Sequence, residues 1–325
     1  PGSQRLTVFQ PQVLVVARQG QRIRHRLWSP IDVVTSASAN AIDNGRPSTD
    51  VISNASRQNQ AITFDWTTTY EAKRSVTGSA RSAVHVEENF RSWATGVAAS
   101  TSFADESATL AASANQILDW YTRYDALGHR QGRASRSTTN GNIGLTQILT
   151  PTTVVHANYG LSAQYGEMSN TWNSVPFDTF ERLAEHVPRH RHRHAVVGRF
   201  AQYLPWSGAL KGFYRFYADG WGIVAHAAEV QLLQRISPLL FVRGSYRFYT
   251  QTAATFFTTL ARKGLPFFSA DSDLGGFDSH TVGVKLSAEV PLLFRGAHVD
   301  AGYERYWRTD GLAVNVALWQ AGARF

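Results

Sequence analysis

The chain has 325 residues, and 32 Lys+Arg against 24 Asp+Glu give a net charge of +8; it contains no Cys. A disulfide-stapled miniprotein, thiolate metal sites and cysteine catalysis are therefore excluded. A hydrophobic fraction of 43% with 17% charged residues excludes a disordered chain, and no apolar run approaches the roughly 20 residues of a spanning helix.

The mean hydropathy of −0.25 would suit a soluble globule, but the periodicity argues otherwise. Taken in chain order, alternating segments cover 5–17 and then 21–36, where Arg22, Arg24, Arg26 and Asp32 share one parity. In 59–71, Ile62, Phe64, Trp66, Thr68 and Tyr70 alternate with Thr63, Asp65, Thr67, Thr69 and Glu71. Segment 75–87 sets Val76, Ala80, Val84 and Val86 against Thr77, Ser79, Arg81, His85 and Glu87, and 90–104 sets Trp93, Val97, Ala99 and Phe103 against Ser92, Ser100 and Ser102. The pattern continues through 107–123, 136–149 and 153–166, the last with Ala157, Tyr159, Leu161 and Tyr165 opposing His156, Asn158, Ser162 and Gln164. It resumes over 192–204, 208–219, 222–235, 239–251, 279–291, 296–308 and 312–325, and no gap reads as a long amphipathic helix. Strict alternation over such lengths selects strand over helix.

A soluble sandwich also alternates, so length, turns and the character of the apolar face must discriminate. These segments match the roughly 9–11 residues of a tilted transmembrane strand rather than the about 5–6 of a globular one. The connections at 203–206, 235–238 and 294–296 are tight, whereas 37–58, 166–189 and 252–277 are long, as in outer-membrane barrels. Aromatics gather near segment ends, as in Trp66/Tyr70, Trp93/Phe103, Tyr214/Phe216, Tyr303/Trp307 and Trp319/Phe325. Ala317, Trp319, Ala321, Ala323 and the final Phe325 share a face and resemble the terminal strand of bacterial outer-membrane barrels. The expected architecture is all-β: one domain over 1–325, a transmembrane antiparallel up-and-down β-barrel of about 14–16 strands in the bacterial outer membrane, with its C-terminus on the periplasmic side. Bacterial barrels prefer an even number of strands. Either 5–17 does not span, giving 14, or a first strand lies before Pro1, giving 16. No signal peptide is legible at Pro1-Gly2-Ser3, so a mature or truncated form is expected.

More specific stretches then stand out: 32–38 (DVVTSAS), 87–92 (EENFRS), 144–153 (GLTQILTPTT), 199–205 (RFAQYLP), 214–221 (YRFYADGW) with His226, 246–256 (YRFYTQTAATF) and 270–274 (ADSDL). Together they resemble a family of bacterial proteins of unknown function predicted to be outer-membrane β-barrels. The resemblance covers most of the chain after Asp32 and implies a fold and a membrane but no substrate. It also implies a further strand before 5–16, which favours 16.

Charged residues at polar parity are candidates for the lumen wall: Arg22, Arg24, Arg26, Asp65, Arg81, Arg199, Lys211, Arg215, Arg243, Arg247, Lys285, Glu289, Asp300 and Glu304. They suit either a constriction that selects small anions or polar solutes, or a salt-bridged interior that packs the barrel and conducts nothing. His190, His192 and His194 at i, i+2 spacing put three imidazoles on one face, a weak candidate for Zn²⁺ or Cu²⁺; with no fourth donor specified, a basic rim contacting lipopolysaccharide phosphates is the plainer reading. His226, Glu229 and Asp219 lie near one hairpin, and a parity slip between His226 and Glu229 suggests a bulge. No G-x-S-x-G, H-E-x-x-H or P-loop frame is present, so no enzyme and no cofactor are expected. The 252–277 loop, with Phe256, Phe257, Leu260, Pro266, Phe267 and Phe268, is too apolar to be freely solvated; it folds into the lumen as a constriction, docks a partner, or rests its aromatics on the outer leaflet or a neighbouring loop. Partners expected are outer-membrane lipid and lipopolysaccharide, with another envelope protein possible at loops 37–58, 166–189 and 252–277, and no nucleic acid. The functional expectation is a polar pore or transport passage for small, anionic solutes; the alternative is a non-catalytic scaffold barrel that houses or anchors a lipoprotein, cytochrome or surface assembly.

Overall fold

The computed structural model describes residues 6–36, 42–43, 46–47, 59–73, 75–124, 130–169, 173–179, 181–290 and 297–322. The 37–58 loop and the terminal Phe325 lie largely or wholly outside them. Fifteen long strands form one antiparallel meander. They are β1, made of Leu6–Phe9 and Gln12–Gln19, then β2 (Ile23–Ser36), β3 (Asn59–Lys73), β4 (Val76–Glu87), β5 (Phe90–Phe103), β6 (Ala108–Tyr124), β7 (Arg130–Thr150) and β8 (Thr153–Gly166). The second half comprises β9 (His190–Leu204), β10 (Gly208–Asp219), β11 (Val224–Ser237), β12 (Leu240–Gln251), β13 (Phe277–Glu289), β14 (His298–Arg308) and β15 (Ala313–Gly322). Each pairs with the next in sequence, and among the described residues the outer edges of β1 and β15 carry no partner strand.

Three features depart from the sequence reading. The first segment is a genuine strand but is broken at Gln10–Pro11, where proline has no N–H to give to the ladder, and both pieces pair with β2. The strand expected at 136–149 starts earlier, at Arg130, after a register shift between Arg130 and Gly132 that lets the polar stretch Arg130–Ser135 extend the ladder. No bulge separates His226 from Glu229: β11 stays in constant register with β12 from Ala225 to Arg235, and the two residues occupy opposite faces.

The alternation survives as two distinct faces. Phe64, Trp66, Val84, Val97, Ile143, Leu161, Val196, Val230, Val282 and Val284 are all exposed on one, while Asp65, Asp119, Gln164, Arg191 and Ser279 are covered on the other. Large aliphatic side chains presented outward along a continuous sheet, with polar ones turned in, invert the arrangement of a soluble sandwich and fit a wall bathed in hydrocarbon. Gly212 illustrates the packing of this wall: the Phe200 ring lies across it from β9, and a Cβ there would come 2.0 Å from the ring.

Because strands alternate in direction, the three long connections (37–58, 167–189 and 252–276) emerge at one end of the sheet. The C-terminal end of β15 lies at the other, with the tight turns after β3, β5, β7, β9 and β11. Gly166 marks where the chain leaves β8 for the second long connection: its φ is +118°, and a Cβ would fall 2.3 Å from the Ser135 carbonyl oxygen, so only glycine fits.

Candidate functional site: a basic cluster on the polar face beneath a folded cap

At the long-loop end, the second and third long connections fold together. Ser174–Pro176 pairs with Arg182–Ala184 as a small ribbon. The two loops then exchange backbone hydrogen bonds, His186 N to Phe268 O (3.0 Å), Phe268 N to His186 O (2.8 Å) and Ala261 N to Pro176 O (2.9 Å). Val175, Phe177 and Ala261 form one buried core with Phe268 against it, and Val187, Trp221, Ile223 and Ala254 form another with Phe256 and Phe257 against it. Phe256, Phe257 and Phe268 of the 252–277 loop are thus packed inside this cap against the neighbouring loop, while Leu260, Leu265 and Phe267 stay exposed on it.

Polar-face side chains fasten the cap. Asp219, its side chain fully buried, accepts from Arg191 Nε (2.8 Å), Tyr217 Oη (2.7 Å) and the backbone N–H groups of Trp221 (2.9 Å) and Ile223 (3.0 Å). The Arg191 guanidinium also lies 4.1 Å over the Trp221 ring. On the other side Arg308 donates to Asp273 (2.8 Å) and to the Ser272 carbonyl (2.9 Å) and stacks 3.6 Å over Phe277. Gln251 donates to the carbonyls of Asp273 and Gly275. Arg191, Asp219, Gln251 and Arg308 all have polar parity, so the cap is tied to the inner ends of the strands rather than folded outward.

Farther along this face, one rung of the ladder runs from His156 through Arg199, Phe213, Glu229 and Arg247 to Thr281. Lys211 and Arg215 project from β10 one rung to either side. All of these but Thr281 line a concavity of about 520 Å³ containing four cations (Arg199, Lys211, Arg215, Arg247) and one carboxylate, Glu229. The Arg199 and Arg247 guanidiniums lie 5.5 and 5.9 Å from the Phe213 ring centroid, which holds them apart while leaving their edge donors free. Glu229 is engaged by the Gln231 amide. Among the described residues no carboxylate lies within ion-pair distance of any of the four cations.

The remaining candidates fall elsewhere on the same face. Arg81 closes on Asp65 at 2.6 Å, Lys285 on Asp300 at 2.6 Å and Arg243 on Glu304 at 3.8 Å. Glu289 lies opposite His298 at the short-turn end. Arg24 and Arg26 stand on β2 opposite Thr69 and Thr67, with Arg22 in the preceding turn. The salt-bridged reading therefore holds for part of the wall and fails for the Arg199–Arg247 group. His156, Glu229 and Gln231 complete the lining at polar parity, whereas Phe213 stands on the polar face although its side chain is apolar, so parity alone does not reveal it. His190, His192 and His194 do share a face, but it is the apolar one; His194 bonds Tyr159 (2.7 Å) and His192 bonds Tyr165 (3.3 Å). No group of three or more metal-ligating side chains gathers among the described residues.

A family model described as "Protein of unknown function (DUF3570)" matches residues 2–320. The chain belongs to this family. No curated protein matches this DUF3570 chain. Solved structures with a similar fold include the siderophore receptor PirA from Acinetobacter baumannii, with a TM-score of 0.59 at 9% identity over 99% of this chain and 56% of the receptor. The ferric-catecholate import receptor Fiu from E. coli K12 superposes with a TM-score of 0.57 at 10% identity over 94% of this chain and 58% of Fiu. The copper transporter OprC gives 0.53 at 9% identity over 99% and 57%. The DUF3570 chain spans little more than half the length of these proteins, and at such identities the likeness is one of fold: the antiparallel sheet of outer-membrane receptor barrels.

Proposed function

We propose that the protein sits in the outer membrane, short turns and C-terminus toward the periplasm and cap outward, and provides a passage for small anionic solutes along its polar face. The observation that carries this reading is the group of four cations without a carboxylate partner, set in a concavity below the cap. A wall meant only to pack would neutralise those charges, as it does at Asp65–Arg81 and Lys285–Asp300. Instead, guanidinium edges are left to exchange hydrogen bonds with a passing anion, and several weak sites in series allow it to leave as well as enter. At about 14–16 strands a barrel interior exceeds what side chains fill, which leaves room for water and solute. The residues are assigned no covalent step.

Single-channel recording in planar bilayers tests this. With a KCl gradient across the membrane the reversal potential should report anion preference. Taking each cation at about 8 Å from the ion and an effective dielectric constant between 20 and 80, it favours an anion by about 0.5–2 kcal/mol. The combined R199Q/R215Q/R247Q variant should therefore lower the anion-to-cation permeability ratio by about tenfold or more. Electrical silence at all voltages, or an unchanged reversal potential in the variant, would sink the proposal.

A further inference from the structure

The apolar face carries its ionised residues unevenly. Among the described strand residues whose ladder partners lie on that face, Arg91, Arg130, Arg133, Arg305 and Asp278 stand toward the long-loop end, against Lys73 alone, opposite Val76, at the short-turn end. Three of the arginines converge. Arg91, Arg130 and Arg133 line a cavity of about 400 Å³ together with Trp93, Trp120 and, as its acid, Glu88. Trp93 and Trp120 are exposed, with the Trp93 indole N–H held by Ser82 at 3.2 Å. Cations and indoles side by side at the edge of an apolar wall match an amphiphile whose charged end is anionic and whose body is hydrocarbon.

A second feature of the same belt points to the same ligand. Three tyrosine–histidine hydrogen bonds repeat at constant stagger: Tyr159 with His194 (2.7 Å), Tyr214 with His226 (2.7 Å) and Tyr246 with His280 (2.9 Å), each from Oη to Nδ1. Each histidine is two strands on from the last and one rung lower, and each tyrosine sits opposite the residue two places beyond its histidine. With the hydroxyl donating to Nδ1, the ring proton resides on Nε2, which is then a donor available beside the phenol. The belt thus sets phenol–imidazole pairs across the long-loop half of the strands.

We infer that this end of the outer wall binds the phosphate-bearing headgroup of lipopolysaccharide, with the Arg91/Arg130/Arg133 cavity as the principal seat and the tyrosine–histidine line as its continuation around the sheet. The inference rests on the outer-membrane reading and is independent of what passes along the polar face. To test it, the purified full chain in detergent is titrated with lipopolysaccharide, and bound lipid is read by native mass spectrometry. Dephosphorylated lipopolysaccharide, phosphatidylglycerol and inorganic phosphate form parallel arms. Saturable binding of lipopolysaccharide is expected, with the R91Q/R133Q variant weaker by about a hundredfold, since two charge-assisted hydrogen bonds are lost. Equal binding in that variant, equal binding of dephosphorylated lipid, or phosphatidylglycerol or inorganic phosphate matching lipopolysaccharide would each overturn it. Should R91Q/R133Q not assemble, R91K/R133K keeps the charge and removes the guanidinium fork; roughly tenfold weaker binding is expected, and no change refutes the site. A chain that is soluble and monodisperse without detergent would instead defeat the membrane reading itself, before any lipid is added.

Discussion

Placing one arginine on each face of β13 makes the two-solvent argument quantitative. Val284 lies near the middle of the strand between Gly244 and Tyr303, with neighbours Val282 and Leu286 on the same face, and is 50% exposed. If hydrocarbon surrounds that face, Val284→Arg brings a guanidinium close to the midplane, where such a charge costs about 2–4 kcal/mol. That corresponds to a roughly 30- to 700-fold loss in the folded-to-unfolded ratio. Ser287, three residues on, has the opposite parity and faces Asp300, between Lys285 and Glu289. Ser287→Arg enters a polar wall with two carboxylates in reach, so its effect should stay within the about ±0.5 kcal/mol of an ordinary surface change. Urea titration of both variants refolded into lipid vesicles, followed by tryptophan fluorescence, measures the difference directly. Equal destabilisation at the two positions, or a larger penalty at Ser287, would refute the assignment of faces and with it the reading of every strand.

Other perturbations address the cap and the wall. Asp219→Ala leaves the Arg191 charge buried with no carboxylate, which should cost about 3–5 kcal/mol; hydrogen exchange at 220–223 and across the folded loops should quicken, while exchange in β4–β6 stays unchanged. Gly212→Ala collides with the Phe200 ring and should destabilise by about 1–3 kcal/mol, read as a lower urea midpoint with an unchanged slope. Lys285→Gln removes the 2.6 Å partner of Asp300, whose side chain is only 17% exposed; a loss of about 1 kcal/mol is expected, vanishing in the Lys285→Gln/Asp300→Asn double variant if the pair acts as a unit.

The strands were legible because a two-residue period is a local property. Phe64 and Trp66 against Asp65 and Thr67 already declare which residues share a face. Which charges meet is not local. Asp65 and Arg81 have matching parity in any register, but only the offset that sets Thr67 opposite Arg81 brings the two within reach. The same arithmetic leaves Arg199, Lys211, Arg215 and Arg247 among His156, Phe213 and Gln231, with Glu229 held by an amide. The cap was half legible: Phe256, Phe257, Phe267 and Phe268 announce that the third long loop cannot be freely solvated. Val175 and Phe177, the partners that bury Phe268, lie in the second long connection, a loop with no periodicity to betray them. The His226–Glu229 misreading has the same origin. Two polar residues three apart look like a slipped parity only if every polar residue must face water, and the tyrosine bonded to His226 removes that requirement.

The paired and unpaired charges divide along the sheet, and the division follows the cap. In β3–β7 the described charges of the polar face pair off, Asp65 with Arg81 and Asp119 with Arg136. In β9–β12, where the two long loops close over the strand ends, Asp219 anchors the cap through Arg191, and among the described residues Arg199, Lys211, Arg215 and Arg247 below it have no carboxylate within ion-pair distance. A carboxylate used to hold a loop cannot also neutralise the wall. The half of the sheet that the cap covers is therefore also the half whose polar face keeps a surplus of positive charge.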